Sequence, residues 1–71
     1  MADEAIGLGA TREELRQLLG EPDDVSTDRI RGEPVIFKYG RIEYYFGDEG
    51  RVYLICTEDD EGNARTIAKS N

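Results

Sequence analysis

Between residues 35 and 57 apolar side chains recur at every second position, interrupted by two turn signals, Gly40-Arg41 and Asp48-Glu49-Gly50. A period of two marks strands with one face inside. Three are predicted: Val35 to Tyr39, Arg41 or Ile42 to Phe46, and Arg51 to Thr57. A two-residue turn of the Gly-X kind sets Tyr39 opposite Ile42, Phe37 opposite Tyr44 and Val35 opposite Phe46. A three-residue turn with Gly50 left-handed sets Phe46 opposite Val52, Tyr44 opposite Leu54 and Ile42 opposite Cys56. Both hairpins then gather their apolar set on one face, and a slip of one residue in either would send a whole strand to the other side.

Ahead of the strands, GATREELRQLLGEP (residues 9 to 22) reads as a helix with both ends written in. Thr11 followed three residues later by Glu14 is a capping-box pair, Gly20 suits a positive-φ stop, and Pro22 forbids continuation. Leu15, Leu18 and Leu19 form one apolar stripe, with Arg12, Glu13, Arg16 and Gln17 turned elsewhere. Two turns do not persist alone in water. The leucines are therefore expected to cover the face made by Val35, Phe37, Tyr39, Ile42, Tyr44, Phe46, Val52, Leu54 and Cys56, with Leu8 beside them.

The same pairing defines a second face. Ile36, Tyr45 and Tyr53 fall in one row across the three strands, and Lys38, Glu43 and Ile55 in the next. One short helix covers one face only. Four of these six residues are Ile or Tyr, whereas solvated sheet faces are usually polar, so the row is expected to be either a contact surface or a set of residues kept for strand propensity. The connection EPDDVSTDRIRGEP (residues 21 to 34) reads as a long polar loop, in which Val25 or Ile30 tucks under the sheet and Asp28 to Arg31 adds an irregular edge. Its acids Glu21, Asp23, Asp24 and Asp28 either face a basic partner or are simply solvated. After the acidic turn EDDEGN, Ala64 to Ala68 forms a fourth strand or a disordered tail, and residues 1–8 and 64–71 are the segments expected to be flexible.

Composition narrows the function. The chain has 71 residues, expected to form one domain, with 9 basic and 16 acidic groups, a net charge of −7 and a pI near 4.4. Residues 1–28 hold two basic groups against eight acids. Nucleic acid is excluded as an expected ligand, because phosphate binding requires a basic stripe. The start has neither a basic leader nor a long apolar run, so no membrane anchor is expected and the cytoplasm is the expected compartment. There is no histidine, and Cys56 is the only cysteine, which removes disulfides and the usual zinc sets. Cys56 itself falls on the predicted core face as a small apolar group. The acidic turn lacks the alternating ligands and terminal Glu of a calcium loop. No metal, cofactor or catalytic constellation is expected.

Gly9-x-Thr11, Leu15, Leu19-Gly20-x-Pro22, Ile42-x-Tyr44-x-Phe46 and Gly50-x-Val52 occur in that order. The arrangement resembles the small helix-then-sheet domains of the SmpA/OmlA outer-membrane assembly lipoproteins and related β-lactamase-inhibitor-like folds, over residues 9–56. No lipobox cysteine stands near the start and the hairpin after Tyr39 is tighter, so anchoring does not carry over. The resemblance implies a bacterial protein-binding module, similar to the small acidic immunity proteins that neutralise toxins. The expected fold is α+β, one short N-terminal helix on a three- or four-stranded antiparallel meander. The expected function is non-enzymatic protein binding, of immunity or adaptor type, through Ile36, Tyr45, Tyr53, Ile55, Lys38 and Glu43, with Asp23, Asp24 and Asp28 added for a basic toxin. The alternative is a structural homo-oligomer, a homodimer for instance, that self-associates through the same face.

Overall fold

The computed structural model describes residues 7–70. One helix, α1 (Arg12–Leu19), precedes five strands: β1 (Asp24–Thr27), β2 (Pro34–Tyr39), β3 (Ile42–Phe46), β4 (Val52–Glu58) and β5 (Ala64–Lys69). The strands form a single antiparallel sheet in chain order, each joined to the next by a hairpin. The α+β class stands as expected. The sheet has five strands rather than three or four, the additional ones lying at its edges.

Both edges follow from side-chain turn chemistry. The expected irregular edge at Asp28 to Arg31 is instead a turn, because the Asp28 carboxylate accepts the backbone N–H of Ile30 at 2.8 Å and the Asp28 N–H donates to the Glu33 carbonyl. The edge strand sits just before it, where Asp24, Val25 and Ser26 face Lys38, Phe37 and Ile36. Ile30 does not tuck under the sheet: it is 95 % exposed at the tip of that turn. In the acidic turn, Asp59 accepts N–H groups from Glu61 and Asn63 at 2.9 and 2.8 Å and so reverses the chain. The following segment is strand β5 over Ala64–Lys69, not a disordered tail. Of the stretch 1–8 expected to be flexible, residues 1–6 lie outside the described residues, and Leu8 packs against the core.

The helix starts and stops where its caps predict. Thr11 accepts the Glu14 N–H at 3.2 Å, the Glu14 carboxylate accepts the Thr11 N–H at 2.9 Å, and Gly20 closes the last turn at φ 86°. The Thr11 bonds, backbone first, hold the exposed Glu14 carboxyl below its ordinary pKa. Its buried face differs from the expected one. Leu15 is fully buried, whereas Leu18 is 60 % and Leu19 41 % exposed. The residues turned toward the sheet are Arg12, Leu15 and Arg16, spaced i, i+3 and i+4, with the Arg12 guanidinium 4.9 Å from the Phe46 ring centre and that of Arg16 4.8 Å from Phe37. Arg12 also donates to the Pro34 carbonyl at 2.6 Å. Long arginine stems cover aromatic surface while their charged ends reach water or carbonyls, so they occupy the place assigned to two leucines.

The core centres on Phe37, fully buried and edge-on to Phe46 with ring centres 4.9 Å apart. Leu15, Tyr44, Phe46, Val52 and Ile55 complete it, with Leu8, Tyr39, Ile42, Ile67 and Ala68 partly buried around them. The first hairpin has the expected register, Tyr39 opposite Ile42 and Phe37 opposite Tyr44, with Gly40 at φ 62°. The second starts as expected, with Phe46 opposite Val52 and Gly50 at φ 76°, and then departs. Tyr45 pairs with Leu54 and Tyr44 with Ile55, so Tyr53 is one extra residue in β4. Beyond it the strand's phase is reversed. Ile55 enters the core at 1 % exposure, while Leu54 and Cys56 move to the opposite face.

Tyr44 is raised above the ordinary tyrosine pKa by burial, and Tyr39 and Tyr45 are raised chiefly by burial as well. A raised folded pKa means that these phenols contribute stability in full below the unfolded value, near pH 10, and lose it as pH rises through the folded values. The melting temperature is expected to fall above about pH 10, in step with tyrosinate absorbance. A melting temperature flat through tyrosine ionisation contradicts the burial.

Candidate interaction face

The bulge at Tyr53 decides which side chains stand on the sheet face away from α1. Across that face the register builds one row of Ser26, Ile36, Tyr45, Leu54 and Lys69, and next to it a row of Asp24, Lys38, Glu43, Cys56 and Thr66. Ile36, Tyr45 and Leu54 are three adjacent half-buried apolar residues in the centre of the first row. The Tyr45 hydroxyl donates to the Glu43 carboxylate at 3.3 Å, which joins the two rows. Burial, and next the Glu43 charge, hold the Tyr45 phenol protonated above its ordinary range, so it acts as a donor at neutral pH.

The residues selected from the sequence are thus sorted. Ile36 and Tyr45 share the row predicted for them, and Lys38 and Glu43 share the neighbouring one. Ile55 does not belong to this face: it lies in the core, because the extra residue in β4 turns it inward. Tyr53, 42 % exposed, has no opposite residue in the row because it stands at the bulge, but its ring lies against Gly47 and it is among the groups that raise the Tyr45 pKa. Its place is taken by Leu54, which the sequence reading put in the core.

The three aspartates are apart from one another in role. Asp24 is on the open face opposite Lys38. Asp23 accepts the Gly40 N–H at 2.6 Å and ties the end of the β2–β3 hairpin to the chain leaving α1, a tie reinforced by the Tyr39 hydroxyl donating to the Gly20 carbonyl at 2.8 Å. Asp28 is the turn former described above. All three carboxylates accept a backbone N–H, Asp24 that of its neighbour Val25 at 2.9 Å.

Cys56 is opposite Glu43, not Ile42, and on the open face, yet only 6 % exposed. Its thiol is expected to react slowly with a thiol reagent in the native state and rapidly in denaturant. Fast labelling of the folded protein contradicts that burial. Among the described residues no group of three or more Cys, Asp or Glu side chains is placed to hold a metal ion, and no helix is long and apolar enough to cross a membrane.

Comparison of the chain with protein-family models, with curated proteins and with solved structures finds no match.

Proposed function

We propose that this protein is a small non-enzymatic protein-binding module, of adaptor or immunity type and cytoplasmic, that meets its partner through the sheet face away from α1. The observation that carries the reading is the apolar row Ile36–Tyr45–Leu54 at the centre of a face that no element among the described residues covers. An antiparallel sheet commonly leaves one face in water, but then with polar residues outward. Aromatic and aliphatic side chains in the middle of a patch, with Lys38, Glu43, Lys69 and Asp24 around them, have the arrangement of an interface centre and rim. The resemblance in Gly9-x-Thr11 and Leu19-Gly20-x-Pro22 points toward the same class.

Tyr45→Lys combined with Leu54→Lys tests it. The double variant is used beside the wild type to capture proteins from the cell's own lysate, and the captured protein is then purified and titrated against both. Charging two central anchors is expected to weaken binding by about thirtyfold or more, with the double variant still folded at the temperature of the titration. Equal affinity for both proteins rules the face out. A wild type that sediments as a dimer, and a double variant that sediments as a monomer, assigns the face to self-association instead.

A further inference from the structure

The open face is not uniform in charge. The β2–β3 turn, the start of β1 and the β4–β5 turn all lie at one end of the sheet, as shown by the bond from the Gly40 N–H to Asp23 and by the Glu58 N–H donating to the Arg41 carbonyl. That end gathers six carboxylates, Asp23, Asp24 and the consecutive Glu58 to Glu61 run, against three cations: Lys38 opposite Asp24, Arg41 paired with Asp60, and Arg65 opposite Thr57. At the other end the β1–β2 and β3–β4 turns carry Asp28, Glu33, Asp48 and Glu49 against Arg29, Arg31 and Arg51, nearly in balance, and Arg31 bridges to Asp48. Of the net charge of −7, three units therefore sit at this pole of the sheet and one at the other. It reaches the open face itself: Asp24 and Glu43 flank Lys38 in the row beside Ile36, Tyr45 and Leu54, and Glu58, two residues beyond Cys56 along β4, follows on the same side, three acids to one base.

We infer that the occupant of this face is a basic protein segment, which sets apolar side chains on the Ile36–Tyr45–Leu54 row and its Lys or Arg side chains toward the Asp24, Glu43 and Glu58 end. The inference rests on the reading of the face given above and adds the chemistry and orientation of the partner. Charge complementarity of this kind steers encounter and fixes the direction in which a partner lies, while the apolar row supplies the desolvated centre. A second copy of this chain is a poorer occupant. Stacking the apolar row on itself about an axis along the strands sets Glu43 on Glu43 and brings two acidic poles together; about an axis along the row the poles separate, and the like charge of −7 on each copy alone opposes pairing.

The probe is a pair of short amphipathic helical peptides with identical leucine faces, one flanked by lysines and the other by glutamates. Each is titrated into the isotopically labelled protein and followed by backbone amide shifts at low and at high salt. The lysine peptide is expected to shift Ile36, Glu43, Tyr45 and Leu54 together with the Glu58 end. It is also expected to bind at least about tenfold more tightly than the glutamate peptide, and to lose most of that advantage at an ionic strength where the Debye length falls to about 3 Å. Glu43→Gln with Glu58→Gln should reduce the preference without altering the melting temperature. Equal binding of the two peptides on the open face overturns the basic partner and leaves the face itself standing. Shifts confined to the α1 side, or no binding of either peptide, overturn both.

Discussion

Ile55→Lys is expected to unfold the protein, and Leu54→Lys, one residue earlier, to leave it folded. Ile55 is 1 % exposed and pairs with Tyr44 inside the core. An ammonium placed there has no carboxylate partner, and an unpaired buried charge costs several kcal/mol even after relaxation. At about 0.05 to 0.15 kcal/mol per residue the whole domain is stable by only about 4 to 11 kcal/mol. Leu54 is on the open face opposite Tyr45, where a lysine forfeits a cross-strand apolar contact of about 0.2 to 1 kcal/mol and keeps its head in water. Circular dichroism melts of the two variants read the difference directly. A folded Ile55→Lys beside an unfolded Leu54→Lys would restore the unbulged register.

The second large effect concerns the centre of the core. Phe37→Ala removes the ring on which Phe46 and Arg16 pack, and Leu15→Ala removes the one helix leucine that is buried. Losses of about 3 to 5 and 2 to 5 kcal/mol are expected, each a large share of the stability available. Leu18→Ala, on the exposed side of the same helix, is expected to change the urea midpoint by no more than about half a kcal/mol equivalent. Equal losses from Leu15→Ala and Leu18→Ala contradict the helix orientation, because they require the leucine stripe rather than Arg12, Leu15 and Arg16 to face the sheet.

Local signals proved legible where one residue type has one physical use. Thr11 with Glu14, Gly20, Gly40 and Gly50 each hold the cap or turn that their chemistry demands, and the first hairpin takes its register from Gly40-Arg41. The helix face was not legible because period alone ranks leucine above arginine. It does not record that an arginine stem on Phe46 or Phe37 buries its carbon chain and keeps its charge solvated. The bulge was hidden for a different reason. Val52, Tyr53, Leu54, Ile55 and Cys56 are all apolar, so both phases of β4 satisfy the pattern and no polar residue marks the outward side. Gly47, which leaves room for the Tyr53 ring, is the one residue nearby that signals a local irregularity. At the edges, Asp28 and Asp59 act as backbone acceptors, a role that an acidic run does not distinguish from a solvated loop.

The identity of the open face, and with it the proposed partner surface, depends on that one extra residue in β4. Nuclear Overhauser contacts across β3 and β4 test it most directly. Backbone contacts are expected to pair Tyr44 with Ile55 and Tyr45 with Leu54, leaving Tyr53 without an opposite residue. Contacts pairing Tyr44 with Leu54 and Ile42 with Cys56 would contradict it, returning Leu54 to the core and removing the apolar row.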